Sequence, residues 1–216
     1  MSDFDLQRDI LEELNFEPQV DPAHIGVMVD QGVVTLTGHV SSYAEKLAAE
    51  QAVRRVQGVR AIAEEIEVRV PNHKKTADDE IAKRVLDILS WDSALPQNAI
   101  RITVQNGWVN LEGEVDWQFQ RAAAQNRVGN LSGLVGIINN ITLNARPQSP
   151  QIQRHIEAAF RRNAKIAPDT VRVSVLDDGQ VVLAGRVHNW TERTAAEDAA
   201  WSVPGVTFVE NHLTVL

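Results

Sequence analysis

Asn106-Gly107-Trp108-Val109-Asn110-Leu111-Glu112-Gly113-Glu114-Val115 decides how this chain folds. Asn-Gly is a hairpin signal, because both residues tolerate positive φ. Val109, Leu111, Gly113 and Val115 then alternate with polar residues, the period of a strand with one buried face. Gly113 falls on that buried face, where the missing side chain would let a helix backbone approach the sheet. The stretch is not unique. Gly107, Gly113 and Gly133 are spaced by 6 and 20 residues, and Gly32, Gly38, Gly58 and Gly179, Gly185, Gly205 repeat those spacings. The copies lie 75 and then 72 residues apart, so the 216-residue chain reads as three copies of one small domain.

Working outward gives the rest of each unit. The opening helices carry apolar stripes: Leu6, Ile10, Leu14; Ile81, Val85, Leu89; Ile152, Ile156, Phe160. The first strands alternate as Ile25, Val27, Val29; Ile100, Ile102, Val104; Val171, Val173, Val175. Turns are expected at Asp30-Gln31-Gly32, Gln105-Asn106-Gly107 and Asp177-Asp178-Gly179. After the second strand comes an Ala-rich helix, with N-caps expected at Ser41/Ser42, Asp116 and Asn189. Gly58, Gly133 and Gly205 are placed to stop it as C′ residues. Ile62, Ile66, Val68; Ile137, Ile141, Leu143; and Val209, Leu213, Val215 then mark a closing strand. The fold class is α+β: three tandem α-β-β-α-β units over residues 1–70, 76–145 and 149–216, each with two helices packed on a three-stranded mixed sheet. Short Pro-containing linkers, Pro71 to Lys75 and Arg146 to Pro150, would hold the units close.

Composition narrows the function. The net charge of −8 argues against a nucleic-acid partner, which needs basic residues to displace phosphate counterions. There is no cysteine, hence no disulfide frame and no Cys-ligated metal. The acidic N-terminus lacks the apolar core of a signal peptide, and no apolar run approaches membrane-spanning length, so the expected location is cytoplasmic, with peripheral contact at the inner membrane allowed. Charge is uneven: residues 1–70 carry 6 basic and 13 acidic side chains, residues 146–216 carry 8 of each. The third unit is thus the most tolerant of an anionic surface. His24, His39, His73, His155, His188 and His212 recur at no shared position, so no metal, cofactor or catalytic set is expected. Gly133-Leu134-Val135-Gly136 has the form of an RNA-clamping loop but occurs once, between helix and strand.

Val109 to Val115 followed by Trp117 and Arg121, and Val181 to Val187 followed by Trp190, Arg193 and Pro204-Gly205-Val206, resemble the BON domain family. The first unit diverges, with Tyr43 for the tryptophan, Lys46 for the arginine, and Glu64 where the others have Asn139 and Asn211. The resemblance implies a bacterial, non-enzymatic module that contacts phospholipid or protein, is linked to osmotic or other stress, and offers no catalytic residues. The absence of a signal peptide or lipoprotein cysteine resembles the cytoplasmic, multi-copy type. It also implies an alternative, sensing of a small ligand or of potassium.

Three candidate sites follow. Trp117 with Arg121 and Trp190 with Arg193 suit a membrane interface or a cation–π contact. Arg154, Arg161, Arg162 and Lys165 lie beside an apolar stripe, the pattern of a helix that meets anionic lipid. Val182 and Ala184, where the second unit has Asn110 and Glu112, mark an apolar sheet face for self-association into a homo-oligomer.

Overall fold

A computed structural model describes residues 2–72, 75–144, 151–176 and 179–216. The elements run α1 (Asp3–Phe16), β1 (Ile25–Asp30), β2 (Val33–Val40), α2 (Tyr43–Arg55), β3 (Ala61–Val68), then α3 (Asp78–Trp91), β4 (Ile100–Gln105), β5 (Trp108–Val115), α4 (Gln118–Gly129), β6 (Gly136–Leu143), and α5 (Ile152–Arg162), β7 (Val171–Val175), β8 (Gln180–Val187), α6 (Trp190–Trp201), β9 (Phe208–Val215). Each unit is the expected two-helix layer on a three-stranded mixed sheet. The middle strand pairs antiparallel with its hairpin partner and parallel with the strand after the second helix. The third-unit turn residues Asp177 and Asp178, His73 and Lys74 of the first linker, and the whole of the second linker lie outside the described residues.

Each unit has its own core. Leu6, Ile10 and Leu14 face Val34, Leu36 and Ala49; Ile156 and Phe160 face Val181, Leu183 and Ala196. Fully burying side chains of this size contributes about 1.5–3 kcal/mol each. Helix α1 is tied to the hairpin as well, because the Asp3 carboxylate accepts from the backbone N–H of Gln31 and Gly32. Asp78 repeats the device on Asn106 and Gly107.

The strand glycines act differently from the reading above. A Cβ on Gly38, Gly113 or Gly185 would lie 2.0, 2.0 and 2.1 Å from the carbonyl oxygen of His24, Ala99 and Thr170. The close neighbour is the backbone leading into the first strand, not a helix. Their φ angles of 110°, 141° and 140° exclude most side chains as well. Gly58, Gly133 and Gly205 also have positive φ, but they sit in the turn after the helix, two or more residues past its capping residue, rather than at C′.

One residue per unit stitches the start of the second helix to the rest. Glu45 accepts from the N–H of Asp21 and Ser41, and Glu192 from Ala167 and His188. In the second unit Gln120 accepts from Asp116 and Trp117 and donates to the Ala94 carbonyl. Burial alone would raise the Glu192 carboxyl, but hydrogen bonds from His188 and Ala167 hold it below the ordinary carboxylate range. Nothing above anticipated this residue. Its signal is the capping-box spacing Ser42-x-x-Glu45 and Asn189-x-x-Glu192.

Gly113→Val is expected to cost roughly 2–4 kcal/mol, from strain plus overlap with the Ala99 carbonyl, read as a lowered midpoint in urea unfolding. Glu192→Gln leaves one N–H without its acceptor and should cost about 1–2 kcal/mol at neutral pH. Because the folded carboxyl is depressed, its contribution is present above the ordinary carboxylate range and is lost as pH falls through the folded value. The gap between wild type and variant should therefore narrow in acid; a gap independent of pH in unfolding titrations would exclude this role.

Candidate functional site

The two Trp–Arg corners are not equivalent, because the helix starts are offset. Ser42 and Asn189 are N-caps, with Tyr43 and Trp190 in the first helical position. In the second unit Trp117 itself is the N-cap, in place of the expected Asp116, and Gln118 stands where Tyr43 and Trp190 stand. The basic residues do align. Arg193 donates to the carbonyls of Asn211 and Leu213, Arg121 to that of Asn139, and Lys46 to that of Ile66. Each covers the last strand of its sheet, an otherwise open edge. Glu64, Asn139 and Asn211 complete the device: each side chain accepts from the backbone N–H two residues on. Lys46 pairs with Glu64 at 2.7 Å, so the first unit's two departures compensate one another. Arg121 and Arg193 are committed to the fold.

Trp190 joins two units. Its Nε1 donates to the Val59 carbonyl at 3.0 Å, 131 residues away in the chain. Its ring lies between Arg54 and Arg193, 5.2 and 5.1 Å from the ring centre, and packs on the first unit's core. Cation–π contacts with a partly exposed arginine contribute about 0.5–1 kcal/mol each. Tyr43 plays the matching part toward the second unit: it packs on that core, with Leu47 beside it facing Gly129 at the end of α4. Between the second and third units, Trp117, Gln118 and Leu143 meet Trp201, Val203 and Val206. The units therefore contact head to tail, first on second, second on third and third on first.

The third unit gathers four basic side chains along and just past one helix, α5. Ile152, Ile156 and Phe160 are buried in the core, so the apolar stripe of α5 is not available to enter a membrane. Arg154, Arg161, Arg162 and Lys165 are all exposed, and none has an ion pair among the described residues. Lys165 lies past the end of α5, so it does not share the helix face with Arg154 and Arg161. The first unit contrasts: Arg8, Lys46, Arg54, Arg55 and Arg69 are each held by carboxylates. Arg161 also lines a groove of about 510 Å³ along the β7 edge, with Arg172, Glu157 and Asp169.

Val182 and Ala184 are half-buried on the outer face of their sheet. Their cross-strand neighbours are Ser174, Glu210, Arg172 and His212, so the apolar patch there is narrow. The larger exposed apolar groups on outer faces are Met28, Trp108, Ile138 and Phe208. Trp108 lies over Gly136, where any side chain would collide with the ring, which accounts for the lone Gly-x-x-Gly loop. His188 contacts the Glu192 carboxylate at 2.9 Å, and His24 stacks on His39. Among the described residues no group of His, Asp or Glu could hold a metal ion. No described helix is long and apolar enough to cross a membrane.

Comparison with known proteins places the chain. The BON domain family matches at residues 2–70, 77–145 and 148–216. Osmotically-inducible protein Y of Escherichia coli (strain K12) is 27% identical over 121 residues, which is 54% of this chain and 60% of that protein. The chain thus spans less than two thirds of that relative. Two structures of CdsD, a structural protein of the type III secretion system of Chlamydia trachomatis, align over 100% and 98% of this chain and 100% and 92% of theirs, at 16% identity. Their TM-scores of 0.27 and 0.28 are too low to carry an argument. Matched three times over nearly its whole length, the chain belongs to the BON domain family, as three copies in tandem.

Proposed function

We propose that this chain is a non-enzymatic binding protein of the osmotic or a related stress response, which meets anionic phospholipid surfaces through its third unit. One observation carries the reading: on a chain of net charge −8, Arg154, Arg161, Arg162 and Lys165 stand exposed, with no ion pair among the described residues. With the apolar stripe of α5 buried, attachment is by charge alone, so it is peripheral, reversible and weakened by salt. The relative's name, which ties it to osmotic induction, and the family match supply the stress setting. A cytoplasmic location at the inner membrane fits this reading.

A second reading, self-association, is favoured by the exposed Trp108, Ile138 and Phe208 on outer sheet faces, with Val182 and Ala184 between charged neighbours. A solution mass above the 23.9 kDa of one chain would support it. Ion sensing has no comparable observation behind it.

Co-sedimentation with phosphatidylglycerol vesicles is expected to retain the wild type and release it at high salt. Changing Arg154, Arg161 and Lys165 together to Glu should lower the apparent affinity by about two orders of magnitude, at about 1 kcal/mol per removed cation near the surface. Equal retention of both proteins overturns the reading.

A further inference from the structure

The three head-to-tail joints are built from matching positions, and one of them is left open. In the first joint Leu47 of α2 lies against Gly129 of α4. By the repeat spacing, Leu47 corresponds to Ala122, and Gly129 to Trp201. In the second joint, between α4 and α6, small Ala122 and Ala123 therefore face Trp201 instead of being filled by a leucine. The result is a groove of about 610 Å³, lined by Trp117, Phe119, Ala122, Ala123 and Trp201 and rimmed by Asp198. That is the size of a small-molecule pocket, with apolar walls and few polar groups.

Two polar groups at this joint lack partners among the described residues. Gln118 Oε1 is buried between the units and has no hydrogen-bond partner. A buried acceptor left unpaired is costly, and native structures rarely keep one without a reason. The Asp198 carboxylate at the rim has no ion pair among the described residues. Burial, and after it the like charge of Glu197, push its carboxyl above the ordinary value, while Glu197 itself accepts from Asn211. A carboxylate on the rim of an aromatic-walled groove attracts a cation.

We infer that the α4–α6 groove binds a small soluble organic ammonium with a flat apolar body, the ammonium at Asp198 and the body between Trp117, Phe119 and Trp201. An anionic ligand is disfavoured by Asp198, the one charged residue of the lining. A bare metal ion would leave the aromatic walls without a role.

The test uses the full chain and 2-phenylethylamine as probe, against its neutral analogue 2-phenylethanol and its anionic analogue 3-phenylpropanoate. The chain has five tryptophans, so the indole N–H signals in a nitrogen–proton correlation spectrum can be assigned by substitution. The amine is expected to shift Trp117 and Trp201 and to leave Trp91 and Trp108 in place. Asp198→Asn should weaken the amine about three- to fivefold without altering the neutral analogue. Ala122→Leu restores the side chain found in the first joint and should abolish binding while the melting temperature is kept or raised. Equal binding of amine and anion, shifts confined to other tryptophans, or full binding by Ala122→Leu would each overturn the assignment. Vesicle retention depends on the α5 cluster, so loss of one behaviour leaves the other testable.

Discussion

Everything in each unit is arranged around one contact, a carbonyl oxygen pressed against the central strand where no Cβ can stand. The chain leaving the first helix must turn sharply before it enters the sheet, and the His24, Ala99 and Thr170 carbonyls end up over Gly38, Gly113 and Gly185. That approach lets a helix and a hairpin be joined by a few residues. It also sets the first helix beside the second, on one face of the sheet. The stitch by Glu45, Gln120 or Glu192 then ties the connecting turn to the start of the second helix. The corner that meets the neighbouring unit is the product of both.

Strand alternation, helix stripes and the glycine spacings were legible because each is a periodic signal within a single copy. Two local details were not. A glycine on a buried face says that something approaches, but not whether it is a helix or a carbonyl. The offset of Trp117 was hidden because Trp117 and Trp190 precede Arg121 and Arg193 by different distances, four residues and three, and shared residue type suggested shared position. The joints could not be read at all, since Trp190 and Val59 come from different copies far apart in the chain. No periodicity reports such a pair.

The pattern of paired and unpaired charge separates what the fold uses from what it leaves free. Residues that recur in all three copies, the Lys46/Arg121/Arg193 set above all, turn out to serve the sheet edge. The features that suit a ligand occur once: the basic cluster around α5, and the groove where Ala122 and Ala123 stand opposite Trp201. Repetition preserves the scaffold, and binding chemistry is free to arise where one copy departs from the others. The compensating exchange of Lys46 and Glu64 shows that departures can also be neutral.

The head-to-tail joints have a consequence for the valence of the molecule. An interface formed by two different surfaces propagates indefinitely unless the rotation brings the last copy back to the first. Here Trp190 brings it back at three, so every docking corner is consumed within the chain. A chain of one or two such units would keep an unsatisfied corner at one end and an unsatisfied receptor at the other. Three copies is then the smallest number that turns a self-adhesive module into a discrete particle.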